Sequence, residues 1–293
     1  MSRDANQAVA TPEGNPDPQP VSIRRNPLTT AVILAATFVV WTFLVFPAVW
    51  IFVGSFKTNE TMFSATAFTF TLENYATIFR VGFGRFIFNS LFICLVAVVI
   101  STFVSVIASY VFSRKRFRRK RLLFGAVILG QLFPWIILVT PLFIMFARIG
   151  LLNSHAGMIF SYVAISIPFS VYLLVGYLET VPRELDEAAV MDGCSQFRII
   201  WTIIFPVMLP GIVATATYAF LLMWTEFLFA LAFLTRTSLK TMPLGLAQFF
   251  GEQSIDWGAI MAASAVTTLP ALVLFLPLQT KLSAGLTAGS VKG

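Results

Sequence analysis

The chain has 293 residues, 58% of them hydrophobic and 11% charged, with a mean hydropathy of +0.85. A soluble domain carries about 25% charged residues, so there is too little polar surface here for a water-facing globule, a disordered chain or a collagen-like repeat. Two cysteines, Cys94 and Cys194, cannot build a disulfide framework, and one histidine, His155, is too few for a histidine-based metal or acid–base centre. The class that remains is an all-α polytopic membrane protein.

Residues 1–28 are polar and hold Pro12, Pro16, Pro18, Pro20 and Pro27, which predicts a disordered cytoplasmic tail. The charged region is too long for a signal peptide, and the apolar run after it is long enough to span a bilayer. Charge-free runs then fall at 26–56, 86–113, 122–147, 149–178, 199–225 and 257–280. A helix needs about 20 apolar residues to cross the hydrocarbon layer. The runs therefore predict six transmembrane helices, centred on 29–53, 87–112, 123–146, 157–178, 207–234 and 258–279, within a membrane domain covering 29–280. Continuous apolar runs exclude a β-barrel, whose strands alternate.

Basic residues set the expected orientation. With the N-terminus inside, the inner segments hold Arg3, Arg24, Arg25, Arg114, Lys115, Arg116, Arg118, Arg119, Lys120, Arg121, Arg183, Arg198, Lys281 and Lys292. The outer segments hold only Lys57, Arg80, Arg85, Arg148, Arg236 and Lys240. Both termini are thus expected in the cytoplasm, and the Arg114–Arg121 cluster reads as a topology anchor beside anionic lipid, not as a nucleic-acid patch. The outer stretch 55–85 mixes Phe63, Phe68, Phe70, Tyr75, Ile78 and Phe79 with few charges, which predicts an amphipathic segment at the interface. Asn59-Glu60-Thr61 matches a glycosylation sequon by pattern alone.

Enzyme chemistry is hard to find. Gly125 and Gly130 have the spacing of a nucleotide-binding loop, but Gln131 stands where the lysine must be, inside an apolar span. No HExxH, CxxC or Ser/His pair occurs in a usable context, so catalytic and metal-binding residues are expected to be none. Cys94 and Cys194 read as packing residues, and His155, beside Asn153 and Ser154, as a capping or solvent-facing residue. Glu226 is the one acidic residue well inside an expected span. It is either a hydrogen-bonded packing group near the outer end of the fifth helix or, with Trp224, a lining of a polar pathway. An ion-driven carrier usually places several ionisable groups at membrane depth, which weakens the alternative of an autonomous ion-coupled secondary transporter or channel.

The most informative segment is the cytoplasmic loop 179–206. Thr180 is suited to cap a helix and Pro182 to open its first turn. Glu184, Asp186 and Glu187 suit the positive end of the helix dipole, and Gly193 is expected to stop the helix in a left-handed conformation. A second short helix is expected after Ser195, through Phe197, Ile200 and Trp201, with Pro206 and Pro210 bending the chain into the fifth span. Leu185, Ala188 and Met191, with Ala189 nearby, form an apolar ridge flanked by carboxylates, which is a plug for a groove on another protein.

Glu187-Ala188-Ala189, three residues, Gly193, nine residues, Ile203, one residue, then Phe205-Pro206 resembles the EAA motif of binding-protein-dependent ABC importer permeases, with Phe205 in the place of the usual leucine. Pro47, Trp50, Ser55, Phe56 and Lys57, the stretch Trp224-Thr225-Glu226-Phe227, and the ending Gly285 to Gly293 are similar to the maltose-type (MalG-like) sugar permeases, where an asparagine usually stands at the position of Thr225. The resemblance implies a type I ABC importer permease fold in a bacterial plasma (inner) membrane. It implies a second homologous permease subunit, two nucleotide-binding ATPase subunits and an extracytoplasmic solute-binding protein as partners. No cofactor is expected in this chain, with ATP and Mg on the partner subunits. By the same resemblance Glu184, Glu187, Ala188, Ala189, Asp192 and Gly193 couple to the ATPases. Gly285, Thr287, Gly289 and Lys292, in a cytoplasmic tail 281–293, form a C-terminal contact between them.

Overall fold

A computed structural model describes residues 27–250 and 255–276. The expected polar tail up to residue 26 and the C-terminal contact residues Gly285, Thr287, Gly289 and Lys292 lie outside the described residues. The chain divides into two compact units, 1–48 and 49–293. The described part of the first is the beginning of helix α1, Pro27–Gly54, which starts at a proline, as suits a first helical position.

The second unit is helical. After α1 come α2 (Glu73–Arg80), α3 (Phe83–Arg114), α4 (Lys120–Leu132), α5 (Trp135–Ile149), α6 (His155–Glu179), α7 (Glu184–Met191), α8 (Gln196–Arg198), a π-helical stretch Ile199–Ile204, α9 (Phe205–Trp224), α10 (Leu228–Phe233), α11 (Met242–Ala247) and α12 (Trp257–Phe275). Five helices among the described residues are long and apolar enough to cross a membrane, and six if α4 and α5 count as one bent span.

Three expectations need correcting. The third span is not one helix: α4 and α5 meet at 97°. Pro134 is the cause, since it lacks an N–H and forces Phe133 into an extended conformation, at φ −73° and ψ 122°. Hydropathy is blind to this because both halves are apolar. The fifth span also departs from 207–234. It begins earlier, as one continuous helix Gln196–Trp224, and ends before Glu226. The expected separate helix after Ser195 is therefore the first part of that rod. The wide π turn at Ile199–Ile204 precedes Pro206, and such a turn adjusts the backbone without ending the helix.

Packing gathers around α3, which lies chiefly against α6 and then α9. Ser101, Ser105, Ser109 and Ser113 recur every fourth residue along α3 and are all buried. Small residues in such a row let helices approach closely in lipid, where dispersion contacts replace the hydrophobic effect. Gly211 serves the same end on α9, because a Cβ there would meet the Tyr177 ring at 2.5 Å. Two cores result. One holds Phe83, Phe86, Cys94, Tyr162, Phe220, Trp224, Phe229 and Phe233. The other, at the far end of the Gln196–Trp224 rod, holds Tyr110, Leu174, Leu178, Ala189, Ile199 and Ile204.

Segment 55–85 is anchored and not merely interfacial. Asn74 Nδ2 donates to the carbonyls of Ser55 and Lys57 at 2.9 and 2.8 Å, and Ile78 is fully buried. Phe63, Phe68, Phe70 and Phe79 remain exposed, as an interfacial segment requires. Lys57, counted above among the outer charges, is 5% exposed, donating to the Ser64 carbonyl at 2.9 Å, with the Trp50 ring 5.8 Å away. The sequon asparagine, Asn59, bridges to α12: its Oδ1 accepts from Gly258 N at 2.7 Å and its Nδ2 donates to Asp256 Oδ1 at 3.0 Å.

Candidate functional site

The loop after α6 begins with a closed helix end. Thr180 Oγ1 donates to the Tyr177 carbonyl at 2.7 Å, so Thr180 finishes α6 and does not cap α7. The position ahead of α7 is Arg183, with no side-chain cap. Glu184, Asp186 and Glu187 all lie in the first turn of α7, where the helix dipole favours negative charge.

The end of α7 follows the sequence expectation. Gly193 has φ +75°, its N–H donates to the Val190 carbonyl at 3.0 Å, and Cys194 N donates to the Ala189 carbonyl at 3.0 Å. This pair of bonds is a Schellman closure, which needs a left-handed residue at the glycine. Ser195 then accepts from Arg198 N and starts the long rod.

One face of α7 is fastened to the bundle. Asp186 forms an ion pair with Arg114 at 2.9 Å, and the two side chains are 13% and 6% exposed. Arg114 Nη2 also donates to the Val181 carbonyl at 2.8 Å, and Arg183 Nη2 to the Ser113 carbonyl at 3.4 Å. Lys115 Nζ donates to Gln196 Oε1. Ala189 is 3% exposed on this same side, packed in the core with Ile199 and Ile204.

The other face is bare. Glu184, Glu187, Ala188 and Met191, at the i, i+3, i+4, i+7 spacing of one helical stripe, are all exposed. Met191 is 87% exposed, and nearby Val190 and Phe197 are 53% and 70% exposed. The expected apolar ridge is thus exposed at Leu185, Ala188 and Met191, while Ala189 turns inward. Asp192 and Gly193 are exposed at the helix end. The sequence reading missed Asp186 and Arg114 as a pair. The usable signal was that Asp186 and Ala189 share a face three residues apart, opposite the stripe that includes Glu187.

The second candidate group is buried at the other end of the rod. Glu226 is 6% exposed and lies in the break between α9 and α10. Its Oε1 accepts from Phe229 N at 2.7 Å, and its Oε2 accepts from Ala230 N at 3.3 Å and from Tyr162 Oη–H at 3.1 Å. A carboxylate that takes the free N–H groups of a following turn acts as its cap. That cap favours the restart of the chain as α10. Trp224 is 3% exposed, with Nε1–H donating to the Thr267 carbonyl at 3.1 Å. Both candidates for pathway lining are thus engaged within this chain's core.

Of the other singled-out residues, His155 and Asn153 lie at the start of α6. His155 opens α6 beside the Phe92 ring at 5.9 Å, and the capping role belongs to Ser154, whose Oγ accepts from Gly157 N at 3.0 Å. Asn153, at φ 52°, accepts from Thr235 N, Thr235 Oγ1–H and Arg236 N through Oδ1. No group of three or more potential metal ligands occurs among the described residues.

With this geometry the chain can be set beside known proteins. Residues 101–287 match the family model described as binding-protein-dependent transport system inner membrane component. The trehalose/maltose transport system permease protein MalG of Thermococcus litoralis is 34% identical over 278 residues, covering 92% of this chain and 100% of that one. The diacetylchitobiose uptake system permease protein DasC of Streptomyces coelicolor is 33% identical, covering 91% of this chain and 96% of that one. Among solved structures, a bacterial ABC transporter involved in import of the acidic polysaccharide alginate matches with a TM-score of 0.76 at 18% identity, over 89% of this chain and 99% of that one. The MetNI methionine ABC transporter matches with a TM-score of 0.56 at 15% identity, over 73% and 99%. The fold is therefore that of ABC importer membrane subunits. The chain belongs to the binding-protein-dependent transport system inner membrane component family, as a multi-pass membrane subunit of an ATP-driven importer.

Proposed function

We propose that the chain is one of two permease subunits of a carbohydrate importer, that it carries no ATPase site of its own, and that ATP and Mg are used by two partner ATPase subunits docked on α7. A solute-binding protein delivers the substrate from outside, and both termini face the cytoplasm, a reading supported by the distribution of Lys and Arg. The observation that carries this reading is the division of α7 into a seated face and a bare face. The bare face presents Glu184, Glu187, Ala188 and Met191, a mixture of carboxylates and apolar side chains that fits a groove on a partner. Asp192 and Gly193 close its far end, and Ala189 supports it from beneath.

The sugar class is inferred from relatives named for trehalose and maltose, diacetylchitobiose and sulfoquinovosyl glycerol. The tail residues Gly285, Thr287, Gly289 and Lys292 are proposed to contact the ATPase pair. Their glycines suit close backbone passage. In the cycle, movement of the ATPase subunits pulls α7, and the Asp186–Arg114 pair hands that motion to the end of α3. Such a change shifts the transporter only through contacts that differ between its states.

The test is reconstitution of the chain with its second permease, ATPase subunits and binding protein in liposomes, followed by labelled-sugar uptake. Uptake that needs ATP and the binding protein, and that falls with Glu187→Ala, supports the proposal. Uptake by this chain alone, driven by an ion gradient, contradicts it.

A further inference from the structure

The α3–α4 turn has a charge pattern that the transport reading leaves unused. Seven of the eight residues from Arg114 to Arg121 are basic, and the sequence has no acidic residue between Glu73 and Glu179. Among the described residues, only Arg114 of this run meets a carboxylate, that of Asp186. Lys115 and Lys120 donate to Gln196 and to the Ser113 carbonyl. The side chains of Arg116, Arg118, Arg119 and Arg121 make no hydrogen bond or ion pair among the described residues and stand exposed. Holding this many like charges together is costly without counter-charge.

The turn is nonetheless shaped. Phe112 packs its ring against Phe117 at 6.1 Å and Phe124 at 5.4 Å, tying the turn to both helices. Arg119 sits at φ 70°, and Lys120 N and Leu123 N close the turn on the carbonyls of Phe117 and Arg119. A surface hollow of about 380 Å³ opens there, lined by Arg116, Phe117, Arg119, Lys120 and Arg121. Immediately beside it, on the two helices that leave the turn, Val111, Leu122 and Leu123 are 38%, 68% and 50% exposed. Cations with apolar side chains next to them, at the ends of membrane-spanning helices, match a molecule with an anionic head and hydrocarbon chains. A soluble anion has no use for the apolar flank.

We propose that this turn is a binding site for an anionic phospholipid, with the phosphate held by Arg116, Arg119 and Arg121 and the acyl chains lying along Leu122 and Leu123. Attraction to an anionic headgroup increases with each basic side chain near the leaflet surface, and guanidinium groups pair with phosphate through two parallel N–H bonds. The bound lipid also screens the repulsion beside Arg114 and so favours the Arg114–Asp186 pair that seats α7. That second consequence rests on the coupling role proposed above, whereas the binding does not.

The test uses the purified full chain mixed with phosphatidylglycerol or phosphatidylcholine, with retained lipid read by native mass spectrometry. The wild type is expected to retain phosphatidylglycerol in preference to phosphatidylcholine. The triple variant R116Q/R119Q/R121Q should lose that retention by roughly tenfold or more. The triple variant R116K/R119K/R121K, which keeps the charge, should restore most of it and so separates a binding defect from a folding one. Equal retention of the two lipids by the wild type, or unchanged retention by the glutamine variant, would overturn the site. Displacement of the lipid by millimolar inorganic phosphate would also overturn it, by marking a site for a soluble anion. Coupled ATP hydrolysis that ignores phosphatidylglycerol while retention holds would remove only the consequence for α7.

Discussion

Two buried carboxylates stand at the two ends of the Gln196–Trp224 rod, and they are stabilised differently. Asp186 is neutralised by a full positive charge, that of Arg114, which belongs to another helix. Glu226 meets two backbone N–H groups and one phenol, with no ion pair to a cation among the described residues. The first arrangement joins two separate elements, α7 and α3. The second builds a local cap, fixed within a few residues of its own chain. An ion pair across elements suits a joint, and a capped turn suits a rigid break.

Mutation separates the two roles. Asp186→Ala leaves the Arg114 guanidinium buried without its partner, which costs about 3–5 kcal/mol for a pair of this kind. It should give a large fall in thermal stability of the purified chain. The double replacement with Arg114→Ala should recover part of the loss, and strictly additive losses would show that the pair is not coupled.

Glu226→Ala orphans the N–H groups of Phe229 and Ala230, at about 1–3 kcal/mol for each buried donor left without a partner. Glu226→Gln retains an acceptor and should lose far less. If Glu226→Gln instead abolishes transport at normal expression and melting temperature, the charge serves a pathway and not a cap.

Gly193→Ala meets no steric obstacle, because nothing lies within 4 Å of a Cβ there. The left-handed backbone alone should cost about 1–2 kcal/mol. Equal melting temperatures for Gly193→Ala and wild type would mean that the α7 closure relaxes freely.

Much of this was legible in the sequence. Six apolar runs are visible as gaps between charges, and the stop at Gly193 follows from the one residue type that adopts positive φ without cost. What escaped was the behaviour of prolines within apolar runs. Pro134 breaks a span, while Pro206 and Pro210 lie in a helix that continues. A π turn precedes Pro206 in the continuing helix, and hydropathy does not record such a turn. The Arg114–Asp186 pair escaped for another reason. Arg114 belongs to a run of basic residues that all look alike in sequence, and only the approach of α3 to α7 separates it from Lys115 or Arg116. For Ala189, the EAA resemblance groups it with Glu187 and Ala188, but a helix turns 100° or so per residue, so neighbours in the motif face different surroundings.

The smallest effect on stability should come from the exposed stripe of α7, where Glu187→Ala removes no side-chain hydrogen bond or ion pair among the described residues. The stripe nevertheless carries the central claim, that one face of α7 is seated and the other engages the ATPase subunits. The direct measurement is disulfide cross-linking in the assembled transporter, in a Cys194→Ser background, with single cysteines at 187, 188, 189 and 191 paired against a cysteine in the ATPase groove. The account predicts adducts from positions 187, 188 and 191 and none from 189. Adducts from 189 matching those from its neighbours, or none from any position in a complex that still transports, would contradict it.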